Sequence, residues 1–234
     1  MPCRRIFLAT GLLVPAAQAL SSPVPPGPAE VRLEQTLDAV GGRARWRTLR
    51  GTLNDSWQFR AAEPTRVRAR ILMDFDSGRF RIDTEGEGGL RLVRVVDGEH
   101  HWRRNREGQL LPVTEATLSE DRRWVAAHLY RTLARLAWRD PELSVRLGAN
   151  DRLEVWQGAQ RLIWFRTDAR GEPYAFGTYD SDTASTLLGP WRFEVDGVRH
   201  PLWTSNADGS FRAQLAVLEL NPPMDAALFE RPAR

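Results

Sequence analysis

The chain has 234 residues, of which 42% are hydrophobic, 9% are aromatic and 27% are charged, and it contains a single cysteine. These proportions exclude an intrinsically disordered or fibrous protein, and a single cysteine excludes both a disulfide framework and a cysteine-based zinc site. All 33 basic residues are arginine, which keeps the isoelectric point near 9.7 although they exceed the 30 acidic residues by only three. Because so small an excess produces no strongly basic surface, we do not expect nucleic acid as a partner.

The first 19 residues are typical of a secretory signal peptide. Arg4 and Arg5 precede a short apolar run, and Ala17-Gln18-Ala19 has the small residues that signal peptidase requires. The segment Arg4-Arg5-Ile6-Phe7-Leu8 also resembles the twin-arginine export motif, so both export routes stay open, with general secretion slightly favoured. Removal of the signal peptide takes away Cys3 and lowers the formal net charge from +3 to +1. The sequence therefore predicts a soluble, exported, periplasmic protein.

A tether and a single domain are predicted to follow the signal peptide. Residues 20–28 are rich in proline, which is typical of an extended linker. Residues 29–234 contain no further linker, so we interpret them as one domain. The domain begins with an amphipathic helix over residues 30–40 that Gly41-Gly42 end, and residues 44–49 add one helical turn.

The hydrophobic period changes to two at Gly51, which predicts β-strands with one apolar and one charged face. A long amphipathic helix over residues 117–138, ended by Asp140-Pro141, interrupts the strands once. Turn residues such as Asp97-Gly98 and Asp196-Gly197 separate neighbouring strands. The predicted strands are residues 52–59, 66–75, 79–83, 90–96, 100–103, 143–147, 152–156, 161–167, 174–179, 191–195, 198–205 and 211–220.

About a dozen short strands separated by turns predict one large antiparallel sheet. A flat sheet of that size would leave a whole apolar face in water, so we expect it to curve into an unclosed β-barrel. The helices over residues 30–40 and 117–138 would then cover its mouth as a lid. The predicted fold class is mainly β (α+β), with an apolar cavity on the concave side of the sheet.

Three local motifs, together with the order of the elements, carry a family resemblance over nearly all of residues 30–232. The motifs are Ala39-Val40-Gly41-Gly42 after the first helix, the hairpin Val195-Asp196-Gly197-Val198-Arg199-His200-Pro201, and the ending Asn221-Pro222-Pro223-Met224-Asp225 with Phe229 and Pro232. In these features the chain resembles a divergent member of the outer-membrane lipoprotein carrier family, the LolA-like and LolB-like proteins. The resemblance implies an unclosed barrel with a helical lid that carries acyl chains or other hydrophobic ligands through the periplasm.

The resemblance also implies a buried arginine that holds the lid closed. The second predicted strand offers Arg66, Arg68 and Arg70, and no motif chooses between them. Read without the resemblance, these arginines are more typical of the solvated convex face of a sheet than of a phosphate-binding surface.

Patterns that would indicate catalysis or metal binding are missing from the sequence. The histidines at positions 100, 101, 128 and 200 do not have the spacing of a zinc site. No G-x-S-x-G motif occurs, and the predicted mature chain has no cysteine. Gly86-Glu87-Gly88-Gly89 lacks the lysine of a phosphate loop and is interpreted as a turn. We therefore expect no metal, no cofactor and no enzymatic activity, and a hydrolase is the least favoured interpretation.

The candidate binding residues are the apolar side chains expected to line the concave face. They are Leu53, Trp57, Phe59, Ile71, Met73, Phe75, Phe80, Ile82 and Trp164 from the strands, and Val125, Leu129 and Leu133 from the lid helix. The predicted function is a periplasmic binding or carrier protein for a lipid or lipoprotein acyl chain, with a membrane or protein partner for loading and release. The alternative is a periplasmic sensor or regulatory domain of the same fold that binds a partner protein.

Overall fold

The computed structural model describes residues 26–62, 65–86, 89–98 and 100–232. The predicted signal peptide and residues 20–25 of the predicted tether lie outside the described residues. Pro28, the last residue of that tether, is instead the first residue of a helix. Proline is well tolerated there because its fixed φ suits a helix and its missing N–H would have no partner in the helix.

The described residues form four α-helices: α1 (Pro28–Ala39), α2 (Arg43–Trp46), α3 (Glu115–Ala126) and α4 (Leu129–Trp138). α1 agrees with the predicted helix over residues 30–40. Gly41 and Gly42 follow it with φ angles of 121° and 94°, a backbone conformation that favours glycine. A Cβ atom at Gly41 would also overlap the carbonyl oxygen of Gly197, so the first motif brings the end of α1 against the Asp196-Gly197 turn.

The prediction of one continuous helix over residues 117–138 is wrong. α3 ends at Ala126, His128 is extended, with φ −67° and ψ 129°, and α4 starts at the next residue. The apolar spacing continues in phase across this break, so the pattern does not reveal it. The break lets α4 enter the core, where eight of its ten residues are buried, whereas α3 buries one face.

Within the described residues, thirteen strands form one antiparallel sheet in the order β6-β5-β4-β3-β2-β1-β15-β14-β11-β10-β9-β8-β7, and β12 and β13 form a separate hairpin. The strands are β1 (Gly51–Arg60), β2 (Val67–Asp74), β3 (Phe80–Gly86), β4 (Gly89–Asp97), β5 (His100–Asn105), β6 (Leu110–Leu111), β7 (Leu143–Leu147), β8 (Leu153–Gln157), β9 (Gln160–Thr167), β10 (Pro173–Thr178), β11 (Thr186–Leu188), β12 (Phe193–Val195), β13 (Val198–His200), β14 (Trp203–Asn206) and β15 (Phe211–Leu220).

The fold class is confirmed: the protein is mainly β, with one large antiparallel sheet that is not closed. The edge strands β6 and β7 are not paired with each other in the described part of the chain. Two meanders make up the sheet, β1 to β6 and β7 to β15, and they are joined where β1 pairs with β15 from Thr52↔Leu220 to Arg60↔Phe211.

The predicted strands differ from the observed ones mainly between residues 186 and 205. The short strand β11 was not predicted, and the strand predicted over 198–205 is divided into β13 and β14. Pro201 lies at the division, where it has no N–H to donate to a neighbouring strand. β13 is not part of the large sheet. The backbone N–H of Arg199 in β13 donates to the carbonyl oxygen of Val40, the residue directly after α1, with N···O 2.9 Å.

The main core fills one half of the concave side. α1 packs against β7 and β8, α2 packs against α4, and the cluster extends to the turn between β2 and β3. Trp46, Phe75, Leu133 and Phe165 are fully buried in it. α1 therefore belongs to the core and is not a lid over the cavity described below.

A smaller core lies on the convex side, beneath the C-terminal segment, residues 221–232. Phe229 of this segment covers Leu53, Leu72 and Trp102. The indole N–H of Trp102 donates to the carbonyl oxygen of Phe229 at 2.9 Å, and the Arg79 guanidinium lies 4.4 Å from the centre of the Phe229 ring. The third motif, at the C-terminus, therefore packs against the convex side of the first strands of the sheet.

Across the described residues, no helix combines the length and the apolar character that crossing a lipid bilayer requires.

Candidate functional site

A cavity of about 1010 Å³ occupies the half of the concave side that the main core leaves open. Its walls come from strands β1 to β4 and from β10, β11, β14 and β15, and α3 with the start of α4 closes it from the helical side. Cavities that hold small molecules usually measure about 300–1,000 Å³, so this one has room for a ligand of lipid size.

Apolar side chains form three parts of the cavity wall. Ile71, Ile82 and Leu92 come from adjacent strands, β2, β3 and β4, and face Trp124 of α3 and Leu129 of α4. On the other side of β1, apolar groups from β10 and β15 complete the wall: Phe176, Phe211, Ala213 and Leu215.

Neutral polar side chains form much of the remaining wall, and charged side chains also line it: Arg60, Arg94, Glu120, Arg123 and Asp208. Asn54, Ser56 and Gln58 project from β1 into the cavity, and threonines and serines line it from the strands opposite: Thr84, Thr178, Ser185, Thr186, Thr204 and Ser205. The cavity is therefore less apolar than the sequence predicted.

Three of the twelve predicted binding residues line this cavity: Ile71, Ile82 and Leu129. The three predicted from β1 lie on the opposite, convex face of that strand. Leu53 packs in the convex core, Trp57 lies under the Arg66 guanidinium at 4.5 Å, and Phe59 is 41% exposed. The prediction chose the wrong face because the C-terminal segment buries part of the convex side, so the more apolar face of β1 is not the concave one.

The remaining predicted binding residues are buried but are not part of the cavity wall. Met73, Phe75, Phe80, Val125 and Leu133 belong to the main core. Trp164 is packed against Gly177, and its indole N–H donates to the carbonyl oxygen of Ser181 at 2.7 Å.

An ion-paired carboxylate holds α3 against the sheet. Asp121 is 2% exposed and pairs with Arg94 of β4 and Arg103 of β5, the latter at 3.4 Å. These two arginines face each other directly in the β4–β5 register, and the Arg94 guanidinium also lies 5.8 Å from the ring centre of Trp124. Arg94 lines the cavity, so its ion pair with Asp121 lies where α3 forms the cavity wall.

The arginines proposed from the second strand lie elsewhere. Arg68 pairs with Asp55 on the convex face, and Arg66 and Arg70 share that face because they lie two residues to either side of it. None of the three lines the cavity. The sequence signal that could have identified Arg94 is the alternation of Leu92, Arg94 and Val96, which places one charged residue between two apolar residues on the same face of a strand.

A row of aromatic rings runs from the cavity into the main core. His128 lies 5.0 Å from Trp124 and 5.6 Å from Tyr130, and Tyr130 in turn lies 4.8 Å from His200, measured between ring centres. Burial lowers the pKa of His128 to about 4, with Arg131 adding to the effect, and lowers the pKa of His200 to about 3. Burial also raises the pKa of the Tyr130 hydroxyl. Both histidines are therefore neutral near pH 7.

His200 is fully buried, and neither of its ring nitrogens has a hydrogen-bond partner among the described residues. It packs as an aromatic ring between Trp46 and Tyr130. In the part of the chain that the structure describes, no three His, Cys, Asp or Glu side chains are grouped to hold a metal ion.

Comparison with known proteins gives distant structural similarities. No family model matches the sequence, and neither does any curated protein. The fold is similar to a DUF1329 family protein from Desulfovibrio piger, with 8% identity over 87% of this chain and 97% of that chain and a TM-score of 0.45. It is also similar to MucB in the MucA/MucB complex of Pseudomonas aeruginosa, with 14% identity over 88% of this chain and 62% of that chain and a TM-score of 0.33. Values this low do not assign the chain to a family.

Proposed function

We propose that this protein is a periplasmic binding protein, without enzymatic activity, that holds the apolar chain of a lipid in the cavity. The observation that carries the proposal is the open half of the concave side. The concave side is packed tightly by α1, α2 and α4 at one end, yet a cavity of about 1010 Å³ remains at the other, between α3 and the strands β1–β4, β10, β11, β14 and β15.

The apolar parts of the wall supply the driving force for binding. Ile71, Ile82 and Leu92 on one side and Trp124 on the other lie where an extended hydrocarbon chain would be enclosed. Each methylene group removed from water contributes about 0.8 kcal/mol, so a chain of moderate length gains enough free energy to offset its loss of freedom.

Loading and release require α3 to move away from the sheet. Its buried residues are few, Leu118, Asp121 and Val125, and the rest of the helix faces solvent or the cavity. Two polar contacts link α3 to the sheet side: the Asp121 ion pairs and a hydrogen bond that the Tyr179 hydroxyl donates to the carbonyl oxygen of Arg123, at 2.6 Å. We therefore take α3 as the moving element, whereas α4 is fixed inside the core.

The direct test is a substitution that fills the cavity with a large side chain. Ala213 lines it from β15, and Ala216 lies on the same strand, is exposed and is not part of the wall. Ala213→Trp should weaken the binding of a fluorescent acyl-chain probe tenfold or more, and Ala216→Trp should leave it unchanged, provided that thermal melting shows both variants folded. Lipid extracted from the purified wild-type protein, identified by mass spectrometry, shows which lipid it carries.

Two results would overturn the proposal. One is wild-type protein that binds no acyl probe and copurifies with no lipid. The other is Ala213→Trp protein that is folded and binds the probe as the wild type does. A specific protein partner captured in the same preparation, without lipid, would favour the sensor or regulatory alternative.

A further inference from the structure

We infer that the ligand is an amphiphile that carries neutral hydrogen-bonding groups, hydroxyl or amide, beside its apolar chain. This inference rests on the proposed function and narrows its ligand class. The feature that carries it is the row of Asn54, Ser56 and Gln58, called here the β1 polar row.

The β1 polar row lies on the floor of the cavity, near the middle of the sheet. Its members alternate along one strand, so their side chains share one face and the row extends about 13 Å. None of the three carries a charge. A plain hydrocarbon forms no hydrogen bonds, so a row of amide and hydroxyl groups at the bottom of a lipid-sized cavity does not contribute to binding it.

The neighbouring strands do not satisfy these groups. In register, Asn54 faces Ile71 and Leu218, Ser56 faces Ala69 and Leu215, and Gln58 faces Val67 and Ala213, so every directly paired side chain is apolar. Directly paired residues point to the same face of an antiparallel sheet. The β1 polar row is therefore isolated between two apolar rows.

The hydrogen-bonding capacity of the row is largely unused. Asn54 Oδ1 is buried without a hydrogen-bond partner among the described residues. The hydroxyl of Ser56 donates to the carbonyl oxygen of Ala69 at the long distance of 3.5 Å. A hydrocarbon lying on these groups would exclude water from them and give nothing in return, whereas a ligand hydroxyl or amide would pair with them.

The charged groups of the cavity wall do not favour an ionic ligand head at this place. Arg94 is already paired with Asp121, and the Arg123 guanidinium packs over the ring of Tyr179 at 4.0 Å. Glu120 and Asp208 add negative charge to the same wall. Arg60, at the exposed end of β1, lines it as well, but its side chain already has an interaction of its own. The groups free to recognise a ligand on the cavity floor are neutral, so they select neutral partners.

The test compares two ligands with the same chain, monododecanoylglycerol and dodecanoate, each displacing a fluorescent acyl probe below its micelle concentration. We expect the wild-type protein to bind the glyceride about tenfold or more tightly than the acid. Asn54→Leu combined with Gln58→Leu should remove this preference. Gln214→Leu makes the same change of amide to leucine at an exposed position outside the cavity wall and should keep it.

The outcomes separate the two proposals. Wild-type protein that binds the acyl probe but shows no preference for the glyceride overturns this inference and leaves the proposed function standing. A folded Asn54→Leu, Gln58→Leu protein that keeps the full preference overturns it as well. Failure of the wild-type protein to bind the acyl probe overturns the proposed function itself. The wild-type comparison does not depend on any variant folding.

Discussion

The two halves of the concave side face the same sheet and differ in what covers them. In the filled half, α1 packs against β7 and β8 and α2 packs against α4, and residues such as Leu37, Trp46 and Leu133 are completely buried. In the open half, α3 and the start of α4 lie over the strands, and a cavity of about 1010 Å³ remains between the helices and the sheet.

The difference follows from the side chains that the strands present. The concave residues of β8 and β9 include Leu153, Val155, Ile163 and Phe165, which give a helix a continuous apolar surface. The concave residues of β1 include Asn54, Ser56 and Gln58, whose polar groups are costly to bury and offer a helix little to pack on. Space is left where the sheet is polar, so the polar residues are part of what creates the cavity.

The largest expected effect contrasts one leucine from each half. Leu133→Ala should lower the free energy of unfolding by about 2–5 kcal/mol, because it leaves a void in a closed core. Leu215→Ala should cost about 1 kcal/mol, because its side chain already borders the cavity and less contact is lost. Urea denaturation measures both, and equal losses would contradict the distinction between the two halves.

A smaller effect concerns acid stability. In the folded protein the pKa of His200 is about 3, below its value of about 6.5 in an unfolded chain, so the unfolded state binds the proton first. Stability should therefore be complete above pH 6.5 and fall as the pH drops from there towards 3. His128, with a pKa of about 4, should add a loss between pH 6.5 and 4.

The substitution His200→Phe should remove the loss of stability that His200 causes at acid pH. The ring lies between Trp46 and Tyr130 without hydrogen bonds in the described part of the chain, so phenylalanine should keep the packing. Between pH 6.5 and 4 this variant should lose roughly 3 kcal/mol less stability than the wild type, measured by urea denaturation across the pH series. His100→Phe, at an exposed position, is the control and should follow the wild type.

The smallest effect tests how α3 is held. Asp121→Asn keeps the size of the side chain but removes the charge that pairs with Arg94 and Arg103. The loss of these charge-assisted hydrogen bonds should speed amide hydrogen exchange in α3 about tenfold. Exchange in α4 should stay unchanged because α4 is fixed by the core. Equal acceleration in both helices would show that they open together.

Much of the sheet could be predicted because the residues that form its turns are recognisable in the sequence. Asp97-Gly98 and Asp196-Gly197 each form a turn with a glycine at positive φ, 58° and 75°, which few other residues adopt as easily. The break between α3 and α4 could not be predicted, because the apolar spacing is the same on both sides of Ala127 and His128 and only the tertiary surroundings of α4 require the turn.

The cavity wall was predicted poorly for a different reason. Alternation along β1 divides its residues correctly into two faces but does not say which face is concave. Phe229, more than 170 positions away from Leu53, covers the convex face, so the apolar face of β1 is the convex one. Ile71 and Ile82 do line the cavity, and the sequence leaves one choice of face for them because the residues beside them, such as Arg70 and Arg81, are charged.

The pairing of β1 with β15 has a consequence for how the protein folds. Each of the two meanders brings together strands that are close in the chain, which is rapid, whereas the joint between them unites the first strand of the sheet with the last. Closing so long a loop is costly in entropy, so we expect this joint to form late. The floor of the cavity is the same joint, and the surface that would recognise a ligand therefore exists only after both meanders have met.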